Sequence, residues 1–241
     1  MDQLRLLCER NGVDIITLSE TWLNKDIDDS EIELPGYSII RRDRSDRTGG
    51  GVIIYIREGL AFSKRNDLHN NEAIYIQVNE TRCKPLIIGC IYRPPTQQVE
   101  KFLEDFNNSL AGIESHFDKI ILGDFNIDYP SKKKRNANQP DRLKLKGIAD
   151  LHDIKQIIDF PTSIAEHSES QIDLIFTDNV HKIVDFGVKD FGISDHSMVY
   201  CVFKSGLMKV PPKTLECRSV NPLFTMLGNT SSMHESFGIL S

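Results

Sequence analysis

The feature that most constrains this chain is a series of short apolar runs rich in β-branched residues. Val13 to Leu18, Val52 to Ile56, Leu86 to Tyr92, Lys119 to Leu122 and Met198 to Phe203 are each four to seven residues long. That is strand length, and each run is stopped by glycine, proline or a polar group. Gly49-Gly50-Gly51 breaks the chain before Val52, and Pro94-Pro95 ends the run that closes at Tyr92. Pro35-Gly36 turns the chain into a further strand at Tyr37 to Arg41. The same patterning predicts strands at Glu72 to Val78, Gln171 to Phe176 and Val184 to Val188.

Helical spacing is confined to three places. Leu4, Leu7 and Cys8 share one face of a short helix over residues 2 to 10. Val99, Phe102, Leu103, Phe106, Leu110 and Ile113 predict a helix over Gln98 to Ser115, and Arg142 to Leu151 predicts another. Strands therefore outnumber helices and do not alternate with them as in a doubly wound sheet. The pattern predicts an α+β fold, with two mainly antiparallel sheets packed face to face and helices outside them. One domain is expected over residues 1–204. Residues 205–241 lack periodicity and are expected to form an irregular, loosely ordered tail.

Composition narrows the function classes. No apolar run approaches the roughly 18 residues needed to cross a bilayer, and the start resembles no secretory leader. The expected location is inside the cell. Five cysteines with no Cys-x-x-Cys pair indicate neither a disulfide framework nor a zinc site, and core thiols are expected. The formal charge of −6 argues against a generally basic nucleic-acid binder. Residues 131–146, however, carry a net +6, and residues 41–47 a net +2. Such runs are either solvated loops or phosphate-facing patches.

Polar groups recur at the ends of the apolar runs. Glu20 follows the first, Tyr92-Arg93 ends another, and Asp124 and Asn126 follow Lys119 to Leu122. Asp195-His196 precedes Met198, and Asp173 lies inside the apolar segment Ile172 to Phe176. A buried carboxylate is costly unless paired or metal-bound. Taken singly, Glu20 reads as a helix-capping or surface acid, Tyr92 as a strand aromatic, and His196 and Asp195 as loop residues. The order and spacing of the whole set make five independent bland readings a poor account.

That set resembles the endonuclease/exonuclease/phosphatase superfamily. The matching pieces are Ser19-Glu20-Thr21-Trp22-Leu23, Tyr92-Arg93-Pro94-Pro95, Gly123-Asp124-Phe125-Asn126, Gln171 to Phe176 and Ser194-Asp195-His196. The forms of the first two, with Phe160-Pro161-Thr162, resemble the apurinic-endonuclease-like endonuclease domain of non-LTR retrotransposons, which nicks genomic DNA. The resemblance implies a four-layer α/β/β/α sandwich, a DNA substrate and a magnesium or manganese ion. It implies that Glu20 holds the cation with Asp195 nearby. Asp124 would act on the attacking water beside Asn126, His196 would contact the phosphate while held by Asp173, and Tyr92 would hydrogen-bond a phosphate oxygen or support the leaving group. Arg93, Thr162 and Ser194 are implied as lesser phosphate contacts. A nuclease of this type acting on genomic DNA is expected in the nucleus.

The family's domain usually begins with an earlier strand carrying an asparagine, and this sequence begins at the helix after it. An N-terminally truncated sandwich with an unpaired internal edge is therefore expected. Two other readings keep the fold: a catalytically impaired module that binds nucleic acid or protein, and a hydrolase acting on phosphoinositides or sphingomyelin. The sequence leaves the oligomeric state open.

Overall fold

The computed structural model describes residues 4–6, 8, 12–44, 49–68, 72–79, 84–129, 140–165, 168–190, 196–204 and 236–240. The first sheet has the order β12 (Ile183–Lys189), β13 (Met198–Lys204), β14 (Ser236–Leu240), β1 (Ile15–Ser19), β3 (Val52–Arg57) and β2 (Tyr37–Arg42). The second has the order β4 (Phe62–Lys64), β5 (Ala73–Val78), β6 (Leu86–Tyr92), β7 (Asp118–Asp124), β11 (Asp173–Thr177) and β8 (Lys155–Gln156). β9 (Ser163–Ala165) and β10 (Ser168–Ser170) form a separate hairpin. β1 with β14 and β6 with β7 are parallel, and the other pairs are antiparallel.

Side-chain alternation decides the layers. Val52, Ile54 and Ile56 of β3 face the second sheet and meet Ile74, Ile76, Ile88, Cys90 and Leu122 there. Ile53 and Tyr55 point the other way, onto Leu4, Cys8 and Leu34. On the second sheet, Tyr75, Ile87, Ile91, Ile121 and Phe176 face outward onto α1 (Val99–Ala111) and α2 (Pro140–Leu151). The helices cover this sheet with Phe102, Phe106, Leu110, Leu145 and Ala149. Phe106 is 1% exposed, and burying such a side chain contributes roughly 1.5–3 kcal/mol. Leu4 to Leu6 and Cys8 are helical, in agreement with the helix expected over residues 2–10. The result is the expected α/β/β/α sandwich.

One edge differs from expectation. β1 was predicted to lie beside an open slot, yet it pairs on both sides. β14 lies parallel to it, with Ile15 opposite Ile239 and Ile16 opposite Leu240, and runs antiparallel to β13 from Tyr200–Leu240 to Lys204–Ser236. Part of the expected loose tail is thus a strand inside the first sheet. The physical reason is that a buried strand's N–H and C=O groups need partners. Residues 205–235 lie outside the described residues.

Smaller departures have local causes. The helix expected to reach Ser115 ends at Ala111, where Gly112 packs so tightly that a Cβ would lie 2.7 Å from Leu68 Cδ2. β4, β8 and the β9–β10 hairpin have two or three residues per strand, too few to show a period. Cys8, Cys90 and Cys201 are buried free thiols, as expected, and burial pushes Cys90 and Cys201 up to about 12. Cys83 and Cys217 lie outside the described residues. No described helix is long and apolar enough to cross a membrane.

Candidate active site

Three neighbouring residues build the floor of the site from the second sheet. Tyr92 ends β6 and Asp124 ends β7, and the two are paired across the parallel strands. Asp173 begins β11 opposite Asp124. Tyr92, Asp124 and Asp173 therefore form a row along one end of the sheet. The first sheet supplies the facing groups: Glu20 follows β1, and His196 lies two residues before β13.

Gly123 fixes the turn at Asp124. Its φ is +141°, and a Cβ there would lie 1.9 Å from the Ile91 carbonyl oxygen. Only glycine lets β6 and β7 approach this closely. Phe125 anchors the following loop. It is fully buried, with ring centroids 5.7 Å from Phe102 and 5.5 Å from Phe106 of α1 in edge-on geometry. Asn126 adopts φ +46° between these fixed points. Its backbone N–H donates to Asp124 Oδ1 at 2.8 Å, and its Nδ2 donates to Asp124 Oδ2 at 2.9 Å.

Asp124 is 3% exposed and its pKa is raised to about 7. Burial is the main cause, and the Asp173 charge adds to it. The Asn126 backbone N–H and His196 oppose the shift. A carboxyl poised near neutrality suits proton acceptance from water. The Tyr92 pKa is likewise raised, first by burial and then by its hydrogen bond to Glu20. Its hydroxyl stays protonated and donates to Glu20 Oε1. That bond ties the two sheets together at the site.

His196 Nδ1 lies 3.0 Å from Asp173 Oδ2, with the carboxylate side chain 13% exposed and the imidazole 31% exposed. The ligand atoms of Asp124, Asp173 and His196 all lie within 4.8 Å of one another. These three side chains could hold a metal ion, and the two carboxylates offer hard oxygens of the kind a magnesium-type cation takes. Like charges this close need a cation or a proton between them, which the raised pKa of Asp124 reflects.

The lesser phosphate contacts are placed differently. Arg93 is 6% exposed, and its guanidinium donates to the carbonyls of Phe125 (2.7 Å), Gln97 (2.9 Å), Pro94 (3.3 Å) and Asn126 (2.5 Å). It is a buried clamp on the Asp124 loop. Thr162 is fully buried, and its Oγ1 accepts from the N–H groups of Ile172 (3.1 Å) and Asp173 (3.0 Å). Its carbonyl accepts from the Ser197 N–H at 2.7 Å. Thr162 thus holds Asp173 and the His196 segment together. Ser194, Asp195 and the basic stretch Lys132 to Arg135 lie outside the described residues.

Sequence reading missed one support. Arg44 is ion-paired with Glu72, whose carbonyl accepts the Tyr92 N–H at 2.9 Å. The pair spans 28 positions, and no local pattern announces it.

Two facing sheets with carboxylates, imidazole and phenol at one end define the class of DNase I-like sandwich hydrolases. The chain belongs to the endonuclease/exonuclease/phosphatase family, whose model matches residues 1–196. Its fold is shared with the endonuclease domain of TRAS1, a telomere-specific non-LTR retrotransposon. That structure is 17% identical, with a TM-score of 0.65 over 81% of this chain and 88% of that one. An AP endonuclease from Archaeoglobus fulgidus is similar at 15% identity and a TM-score of 0.57, covering 80% of this chain and 90% of that one. A family protein from Leptotrichia buccalis C-1013-b is similar at 14% identity and 0.56, over 81% and 89%. No curated protein matches the chain.

Proposed function

We propose that this protein is a magnesium- or manganese-dependent DNA endonuclease that cuts one strand by water attack on a phosphodiester. The observation that carries the reading is the convergence of Glu20 and His196 from one sheet on Tyr92, Asp124 and Asp173 from the other. The solved TRAS1 endonuclease domain, which shares the fold, supports DNA as substrate. Residues 1–204 are the proposed catalytic domain, with β14 supplied by the segment beyond it.

Glu20 and Asp195 would hold the cation. When bound, the cation supplies Lewis acidity at a phosphate oxygen. Asp124 accepts the proton of the attacking water, and Asn126 fixes the carboxylate's orientation through two hydrogen bonds. His196 donates from its second ring nitrogen to a phosphate oxygen while Asp173 engages Nδ1 and fixes the ring's orientation. Tyr92 is a neutral hydroxyl donor at the same end of the site. Preorganised donors aimed at developing charge are the main source of such rate enhancement. The basic stretch Lys132 to Arg135 would track the DNA backbone, and an enzyme cutting genomic DNA would work in the nucleus.

A supercoiled plasmid tests the reading. The protein should convert it to the nicked circle with magnesium, and neither chelated samples nor His196→Ala should do so. Equal traces of nicking by wild type and variant would remove the reading. Phosphate released from inositol phosphates, with no nicking, would move it to the phosphatase side of the family. Neutralising Lys132 to Arg135 should flatten the salt dependence of DNA binding by up to about four units of logarithmic slope.

A further inference from the structure

The segment after Glu20 presents an aromatic ring whose exposure the reaction above does not use. Trp22 is the sole tryptophan of the chain, and it is 64% exposed. Two residues of this short segment sit in the left-handed region, Glu20 at φ +53° and Trp22 at φ +56°. A bulky side chain is rarely found there, and such strain persists only where the surroundings enforce it.

The enforcement comes from Gly49-Gly50-Gly51. The Trp22 N–H donates to the Gly50 carbonyl at 2.9 Å, and the Thr21 N–H to the Gly51 carbonyl at 3.4 Å. All three glycines have positive φ. A Cβ on Gly51 would lie 2.7 Å from Thr21 Oγ1, and one on Gly50 would lie 2.9 Å from the Arg44 side chain. Gly49 underlies the indole itself, with its Cβ position 3.6–3.7 Å from the ring's Cε2, Cζ2 and Cη2 atoms. The glycine triplet therefore supports one part of the ring and leaves most of it open. Burying the ring is the usual outcome for tryptophan, and here a strained backbone holds it out.

We propose that Trp22 is a stacking platform for a nucleobase of the substrate strand that leaves the helix beside the attacked phosphate. The inference rests on the nuclease reading and adds a substrate contact to it. Two residues of chain span at most about 7 Å, which corresponds to roughly two nucleotides of DNA rise from the group at Glu20. Every base offers a π-face, so the contact reads base exposure and not sequence. A mismatch near the scissile bond lowers the cost of unstacking, and the enzyme should prefer such duplexes.

The sole tryptophan makes the test direct. The full chain is titrated with a short end-labelled duplex under chelating conditions, and binding is followed by anisotropy of the label and by tryptophan emission. Stacking should quench the emission and shield it from acrylamide. Trp22→Ala and Trp22→Leu should each weaken binding by about 5- to 150-fold, whereas Trp22→Tyr should retain most of it. Trp22→Ala should also lose the preference for a mismatched duplex. Binding with unchanged emission and acrylamide access, or equal affinity of wild type and Trp22→Ala, would overturn the platform and leave the nuclease reading standing. Absence of DNA binding and of nicking by the wild type would remove both.

Discussion

Asp124 and Asp173 stand opposite each other on adjacent antiparallel strands, two carboxylates at one end of the second sheet. The arrangement makes Asp124 the group whose proton reports on the site. Its pKa of about 7 in the folded state compares with 3.8 for the free side chain. At low cation concentration, nicking should rise about tenfold per pH unit below about pH 7 and level off above it, since the water-accepting form is the carboxylate. Added cation should move the inflection to lower pH. A pH-independent rate between pH 5 and pH 8 would rule out Asp124 as the proton acceptor.

The same shift has a stability consequence with the opposite sense of pH. Below about pH 4 both folded and unfolded chains carry the Asp124 proton, and nothing is lost. Between there and about pH 7 the unfolded chain releases it first, so stability falls as pH rises. The full penalty above pH 7 is on the order of 4 kcal/mol without cation. Asp124→Asn should lack this dependence and lose nicking. Melting temperatures of the two proteins in chelator at pH 4.5 and pH 8 check it; parallel shifts would contradict the assignment.

Asp173 acts through His196, whose Nδ1 it holds at 3.0 Å. Asp173→Asn should lower kcat by about 10²-fold with little change in KM, because the imidazole loses its orienting carboxylate. A loss carried by KM with kcat unchanged would contradict that role.

Gly123 is the position where the backbone leaves no room for a side chain. Gly123→Ala places a Cβ 1.9 Å from the Ile91 carbonyl oxygen and forces β6 from β7. The expected cost is about 3–5 kcal/mol, seen in denaturant unfolding. Gly147→Ala, where nothing lies within 4 Å of the added carbon, is the control and should be neutral or slightly stabilising.

The seam between β1 and β13 depends on β14. Removing residues 236–241 should unpair both neighbours and raise amide exchange along Ile15–Ser19 and Met198–Lys204. Glu20 and His196 adjoin those strands, so nicking should fall as well. Register has its own test: Ile239→Cys stands opposite Cys201, and oxidation should join the introduced thiol to Cys201. Peptide mapping that finds no such link would place the segment elsewhere.

The sequence by itself determined the layers and which residues are candidates for the site. Apolar runs of strand length placed β1, β3, β5, β6, β7 and β13 within a few residues, because a half-buried or buried strand needs those side chains. The order of Glu20, Tyr92, Asp124, Asp173 and His196 was legible because each adjoins such a run. Three things were decided only by the tertiary structure. Which carboxylates become neighbours depends on strand register, which put Asp173 against Asp124 and not merely in the same region. Arg93 and Thr162 looked like phosphate contacts, but carbonyls 32 and 33 positions from Arg93 and N–H groups 10 and 11 positions from Thr162 were free to claim them once the strands paired. β14 was invisible because five residues in a long aperiodic stretch carry no period. It is a strand because the slot between β1 and β13 presents two rows of backbone groups that only another strand can satisfy.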